Sequence, residues 1–87
     1  MQYGVSEDGH RFAVSGPSAG GSVYVMIDSR AVEIADRMQW DEDWGWMATM
    51  LPPVIPTTLS HRDSIGAIVD AAMVLRADPA YRTKETG

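Results

Sequence analysis

Polar and apolar residues alternate at the start of the chain and then give way to a helical spacing, and that change of period predicts the elements. In YGVSEDGHRFAV (residues 3–14) the breaker is Asp8-Gly9, a favoured two-residue turn because both central positions of a type I′ turn need positive φ. Folding there sets Val5 opposite Phe12 and Tyr3 opposite Val14, all four on one face of a β-hairpin. After a glycine-rich connection, Gly16–Ser22, the run VYVMID (Val23–Asp28) is apolar at both alternating sets of positions and predicts a third strand covered on two sides.

The period then lengthens. Ala31, Ile34, Ala35 and Met38 fall at i, i+3, i+4 and i+7, with Arg30, Glu33, Asp36 and Arg37 between them, so a helix capped by Ser29 and running to Gln39 is expected. Trp40, Trp44, Met47 and Leu51 continue as a second helical face, with Asp41 as its cap and Glu42 and Asp43 in its first turn. PPVIPTT (Pro52–Thr58) is too proline-rich for a helix and predicts a rigid crossing, with an edge strand at Val54-Ile55. A last helix follows a capping box at Ser60–Asp63. Its stripe is Ile65, Ile68, Val69, Ala72 and Met73, and Asp78-Pro79 ends it. The expected fold is α+β: a small antiparallel sheet, hairpin plus third strand, packed against two or three helices. Residues 1–87 form one domain in this reading, with 1–2 and 83–87 frayed.

Composition narrows the functional classes. There is no cysteine, which removes disulfides and thiolate metal sites and suits an intracellular protein. The N-terminus lacks a signal-peptide pattern, and no apolar run is long enough to span a bilayer, so neither secretion nor membrane association is expected. Twelve acids against seven bases give a net charge of −5. With the arginines scattered, direct nucleic-acid binding is disfavoured and a protein partner with a basic surface is the better match. Arginine and alanine usage suits the cytoplasm of a bacterial or phage-infected cell.

Candidate chemistry is sparse. Gly16–Gly20 reads G-x-S-x-G around Ser18, but a nucleophile elbow needs a helix after it, and a strand is expected there. The P-loop glycine spacing of the same loop has Ser22 where lysine belongs. His10 and His61 have no ligand spacing, and Asp41–Asp43 does not complete a calcium loop, so no metal, cofactor or catalytic residue is expected.

What stands out is WDEDWGWM (Trp40–Met47), with every tryptophan of the chain inside it. Three indoles do not share one buried face in either a helix or a strand. Two are therefore expected in the core and one at the surface, where an apolar anchor bordered by carboxylates makes a docking point. The expected partner-binding set is Trp40, Asp41, Glu42, Asp43, Trp44 and Trp46, in a non-enzymatic protein-binding module, an inhibitor or accessory subunit. A homodimer is one version of it, and Met38, Met47, Met50 and Met73 offer further adaptable apolar surface. A second expectation is a nucleic-acid mimic of the phage-inhibitor kind, because Asp28–Asp43 holds six acids and two bases. The third, a small ligand-binding domain or enzyme, rests on the glycine loop alone.

Overall fold

The computed structural model describes residues 1–16, 20–52 and 57–79. Six strands, β1 (Gln2–Val5), β2 (Arg11–Ser15), β3 (Gly21–Ile27), β4 (Arg30–Asp41), β5 (Gly45–Met50) and β6 (Thr58–His61), precede one helix, α1 (Ile65–Ala77). The strands form one antiparallel sheet in sequence order, each paired with its chain neighbours. This corrects the expected architecture: among the described residues the sheet has six strands rather than three, and a single helix packs on it instead of two or three. The Ser18 loop, the Val54-Ile55 edge strand and the frayed tail lie outside the described residues, whereas Gln2 is paired with Val14 in β1.

The largest departure is at residues 29–51, where two expected helices are strands. Ile27 pairs with Arg30, so Asp28 and Ser29 form a two-residue turn, with φ of 51° and 64°. Both central residues of such a turn must be left-handed, and Asp-Ser meets that demand without the usual glycine. Ser29 is thus a turn residue and not a helix cap.

β4 then carries two irregularities. Tyr24 pairs with Glu33 and Val23 with Ala35, leaving Ile34 as an extra residue, so Ile34 and Ala35 are both buried. Further on, Asp36 faces Thr49 and Gln39 faces Met47, with Arg37 at φ 56° absorbing the surplus. A bulge puts two residues opposite one and resets the alternation. Two bulges in succession bury Ile34, Ala35 and Met38, the same spacing that an amphipathic helix shows.

The first hairpin has the expected strands in a different register. Ser6 N–H donates to the His10 carbonyl (2.9 Å) and Gly9 N–H to the Ser6 carbonyl (3.0 Å), with Gly9 at φ 88°. Its loop is a type I turn closed by a left-handed glycine, one residue longer than the two-residue turn. Tyr3 therefore faces Ala13, Gly4 faces Phe12 and Val5 faces Arg11. A one-residue slip moves a strand's side chains to the opposite face. Phe12 and Val14 stay with the core while Tyr3 and Val5 point outward, 81% and 68% exposed. Gly4 leaves room for the Phe12 ring, which would lie 2.7 Å from a Cβ there.

One face of the sheet and the helix make the core: Val14, Val23, Val25, Ile34, Met38, Ala48 and Met50 against Ile68, Val69 and Ala72. The predicted stripe of α1 is the one it buries. Its cap lies four residues later than expected, with Ser64 Oγ accepting from Ala67 N–H at 3.1 Å, because Thr58–His61 pairs with β5. Asp78 caps the C-terminal end, as the following proline requires. Met38 and Met50 fill this core, and Met73 packs against it, rather than forming an adaptable surface.

Two left-handed glycines separate backbone strain from steric conflict. Gly9 has open space where a Cβ would project, whereas at Gly45 (φ 81°) a Cβ would lie 2.6 Å from Arg62 Cα. In urea denaturation, Gly9→Ala should cost about 1–2 kcal/mol from the backbone alone. Gly45→Ala should cost about 3 kcal/mol or more, because the β6–α1 backbone must also move. Equal losses would show that the close approach has no energetic role.

Candidate functional site

The tryptophan-rich segment is the β4–β5 hairpin. Asp41 Oδ1 accepts from the backbone N–H groups of Asp43 (2.7 Å) and Trp44 (3.0 Å), a side-chain turn that fixes the loop from inside. Gly45 supplies the left-handed residue that returns the chain to β5 and lets the backbone of His61-Arg62 press against it. Arg62 ties the loop from outside: its Nη2 donates to the Glu42 carbonyl at 3.2 Å and also to the Asp43 carbonyl. The turn is held on both sides by groups the chain provides, so its exposed side chains are presented on a rigid support.

Trp40 and Trp46 are direct cross-strand partners. Their rings meet edge to face, with centroids 5.4 Å apart and planes at 75°, a favoured geometry for aromatic pairs. Trp46 is half-buried and packs against the core, where it also lines a groove of about 440 Å³ between β1 and the start of α1. Trp40 remains 52% exposed and Trp44, at the turn, 63%. The expected division of two indoles inside and one outside is therefore reversed: two reach solvent and only Trp46 leans inward. The pleat explains it, since Trp40 and Trp46 share a face and Trp44 falls in the loop between their strands. The structure gathers all six expected residues in one hairpin, but Trp40, Trp44, Met47 and Leu51 do not form a helical line.

The electrostatics of the hairpin follow from where Arg62 is engaged. Its guanidinium goes to main-chain carbonyls, and the exposed Glu42 and Asp43 carboxylates have no ion-pair partner among the described residues. Two aromatic faces thus stand beside two uncompensated negative charges. Sequence reasoning missed Arg62 because nothing in local spacing links it to a turn about twenty positions earlier.

A second polar cluster joins the first hairpin to the helix. His10 Nδ1 lies 2.7 Å from Asp70 Oδ1, Asp8 N–H donates to Asp70 Oδ2 at 3.3 Å, and His10 N–H donates to the buried Ser6 Oγ at 2.9 Å. Nothing in the local sequence pairs His10 with a carboxylate. Its partner lies sixty positions away, beyond the reach of any local pattern.

Serine, histidine and aspartate here do not form a hydrolytic triad. An ionised carboxylate only accepts, so Nδ1 carries the proton donated to Asp70. Ser6 Oγ approaches that same nitrogen at 3.5 Å, whereas a triad serine must meet the other one. The donor atoms of Asp8, His10 and Asp70 do lie within 4.8 Å of one another. Two ligands of one tetrahedral zinc would stand about 3.3 Å apart, given bonds of about 2.0 Å, and the 2.7 Å contact is a hydrogen bond instead. The cluster is a clamp. His61, expected in the first turn of the helix, ends β6 and accepts from Asp63 N–H at 3.2 Å.

Comparison with protein-family models, with curated proteins and with solved structures found no match for the chain.

The clamp has a pH signature. Partial burial pushes the Asp70 carboxyl up, but hydrogen bonds from Ser6, His10 and the Asp8 backbone, with the charge of protonated His10, outweigh it and hold the group below the ordinary value of 3.8. A depressed carboxyl stabilises the fold fully above its unfolded value, and that contribution is lost as pH falls through the folded one. Asp70→Asn should therefore cost about 1–3 kcal/mol at neutral pH. The gap from wild type should close as pH drops below 3.8. A gap that stays constant across that range in denaturant titrations would remove Asp70 ionisation from the clamp.

Proposed function

We propose that the chain is a non-enzymatic protein-binding module, acting as an inhibitor or accessory subunit, that docks through the β4–β5 hairpin onto a partner with a basic surface. The observation that carries this reading is the joint exposure of Trp40 and Trp44 on a loop braced by Asp41 and Arg62. Tryptophan is enriched among residues that dominate binding energy, and a rigid support lowers the entropy lost on docking. Glu42 and Asp43 supply the charged border. They steer a cationic partner and fix its orientation more than they add affinity. In this role Trp46 is a supporting residue: it holds Trp40 by its edge and is itself held by the core.

The acids from Asp28 to Asp43 lie along β4 and its two turns, with Glu33, Asp36 and Asp41 at outward register positions and Arg30 and Arg37 interrupting the run. The two arginines within that run favour a local docking point over phosphate mimicry, and salt separates the two. Binding dominated by the indoles should survive high ionic strength with modest loss, whereas mimicry should be abolished by it.

The indoles should be separable by mutation. Trp44→Ala should leave stability within about 0.5 kcal/mol of wild type, and Trp40→Ala should cost about 1 kcal/mol through the lost edge-to-face contact. Trp46→Ala should cost about 2–4 kcal/mol by opening the core beneath it. Used as bait in a native lysate, Trp40→Ala and Trp44→Ala should each lose a protein that wild type retains, while remaining folded by circular dichroism. Retention unchanged in both variants would refute docking through the hairpin.

A further inference from the structure

The outward face of strands β1–β4, on the side of the sheet away from α1, is largely apolar, and among the described residues nothing covers it. Its positions follow from the register. One cross-strand row is Tyr3, Ala13, Tyr24 and Glu33, and the next is Val5, Arg11, Met26 and Ala31. Tyr3, Val5 and Met26 are exposed, the first two heavily. With Arg11, Ala13 and Tyr24 they line an open groove of about 890 Å³. A contiguous apolar surface of this kind on a small acidic protein marks an interaction site.

We propose that this face binds a second copy of the chain, sheet against sheet, across a two-fold axis parallel to the strands between β2 and β3. Such an axis sets β2 over the partner's β3 and β1 over the partner's β4, with the sheets about 10 Å apart. Tyr24 then seats over the partner's Ala13 and Val5 over the partner's Ala31, while Arg11 lies over the partner's Met26 and diagonal to the partner's Glu33.

The charges are self-complementary too. The two rows carry one cation and one anion, Arg11 and Glu33, and neither has an ion-pair partner among the described residues. The same axis brings Tyr3 and Arg11 to the partner's Glu33, and the symmetry makes that contact twice. These two rows are neutral although the chain carries −5, so the repulsion that net charge imposes is reduced between them.

A small apolar ligand suits the groove less well. Binding sites for such molecules cover about 70–90% of the ligand, and walls as exposed as Tyr3 and Val5 leave an occupant half in water. A second sheet covers all of them at once. The eight positions bury on the order of 1,000 Å² across both copies, the lower bound of specific interfaces, which suits a micromolar dimer.

Sedimentation equilibrium of the full chain at about 100 µM should show a dimer with a dissociation constant in the micromolar range. Arg11→Glu and Glu33→Arg should each weaken it by about tenfold or more, and the double charge swap should restore it. Both residues are exposed, and circular dichroism should confirm unchanged folding of every variant. Trp44→Ala should leave the dimer intact, separating this surface from the docking hairpin. A wild type that remains monomeric at that concentration overturns the proposal, as does a double swap that fails to restore association. Saturable binding of dodecanoate to a monomer, abolished by Tyr3→Lys, would make the face a ligand groove and overturn it as well.

Discussion

β4 must hold apolar side chains against the helix over twelve residues whose sequence does not alternate. A regular strand would place Asp36 in line with Ile34 and Met38, inside the core. The bulges at Ile34 and Arg37 avoid this: each inserts a residue, returns the next apolar side chain to the inner face and leaves Asp36 outside opposite Thr49. Because β3 pairs along one edge of this strand and β5 along the other, its phase sets the phase of both halves of the sheet. Met38 meets the core, Trp40 falls in step with Trp46, and Glu33 comes to the outer face beside Tyr24, all from the same two insertions.

Those insertions also explain how far the fold was legible in the sequence. α1 was readable because its stripe from Ile65 to Met73 has a single period and a proline to end it. β3 was readable from an unbroken apolar run in which β-branched Val23, Val25 and Ile27 alternate with Tyr24 and Met26. The stretch from Ala31 to Met38 was not, since a doubly bulged strand and a helix bury the same positions. No glycine marks the Asp28-Ser29 turn that would have argued for a hairpin. The first hairpin was seen, but its register turned on whether the loop contained two residues or three, and Asp8-Gly9 is compatible with both.

The candidate site was legible in composition and illegible in geometry. Concentrated tryptophan and acid located the right segment whatever its secondary structure, because the argument depended on side-chain area and charge. Which indole faces water depended on the strand pleat and so followed the wrong element. Contacts that brace the site, from Arg62 to the turn carbonyls and from His10 to Asp70, join residues far apart in sequence and leave no trace in local pattern. The outer face of β1–β4 has the same origin: Tyr3 and Val5 reach it only through the longer loop.

The sequential order of the strands bears on how the chain is assembled. Every sheet pairing joins neighbours along the polypeptide, so the sheet can zip up one hairpin at a time as synthesis proceeds, at little cost in loop closure. Its inner face gains a cover only when α1 emerges behind all six strands. Until then no helix covers Val23, Val25, Ile34 and Met50, and the contact between Asp70 and the Ser6–His10 loop has to wait for residues made sixty positions later.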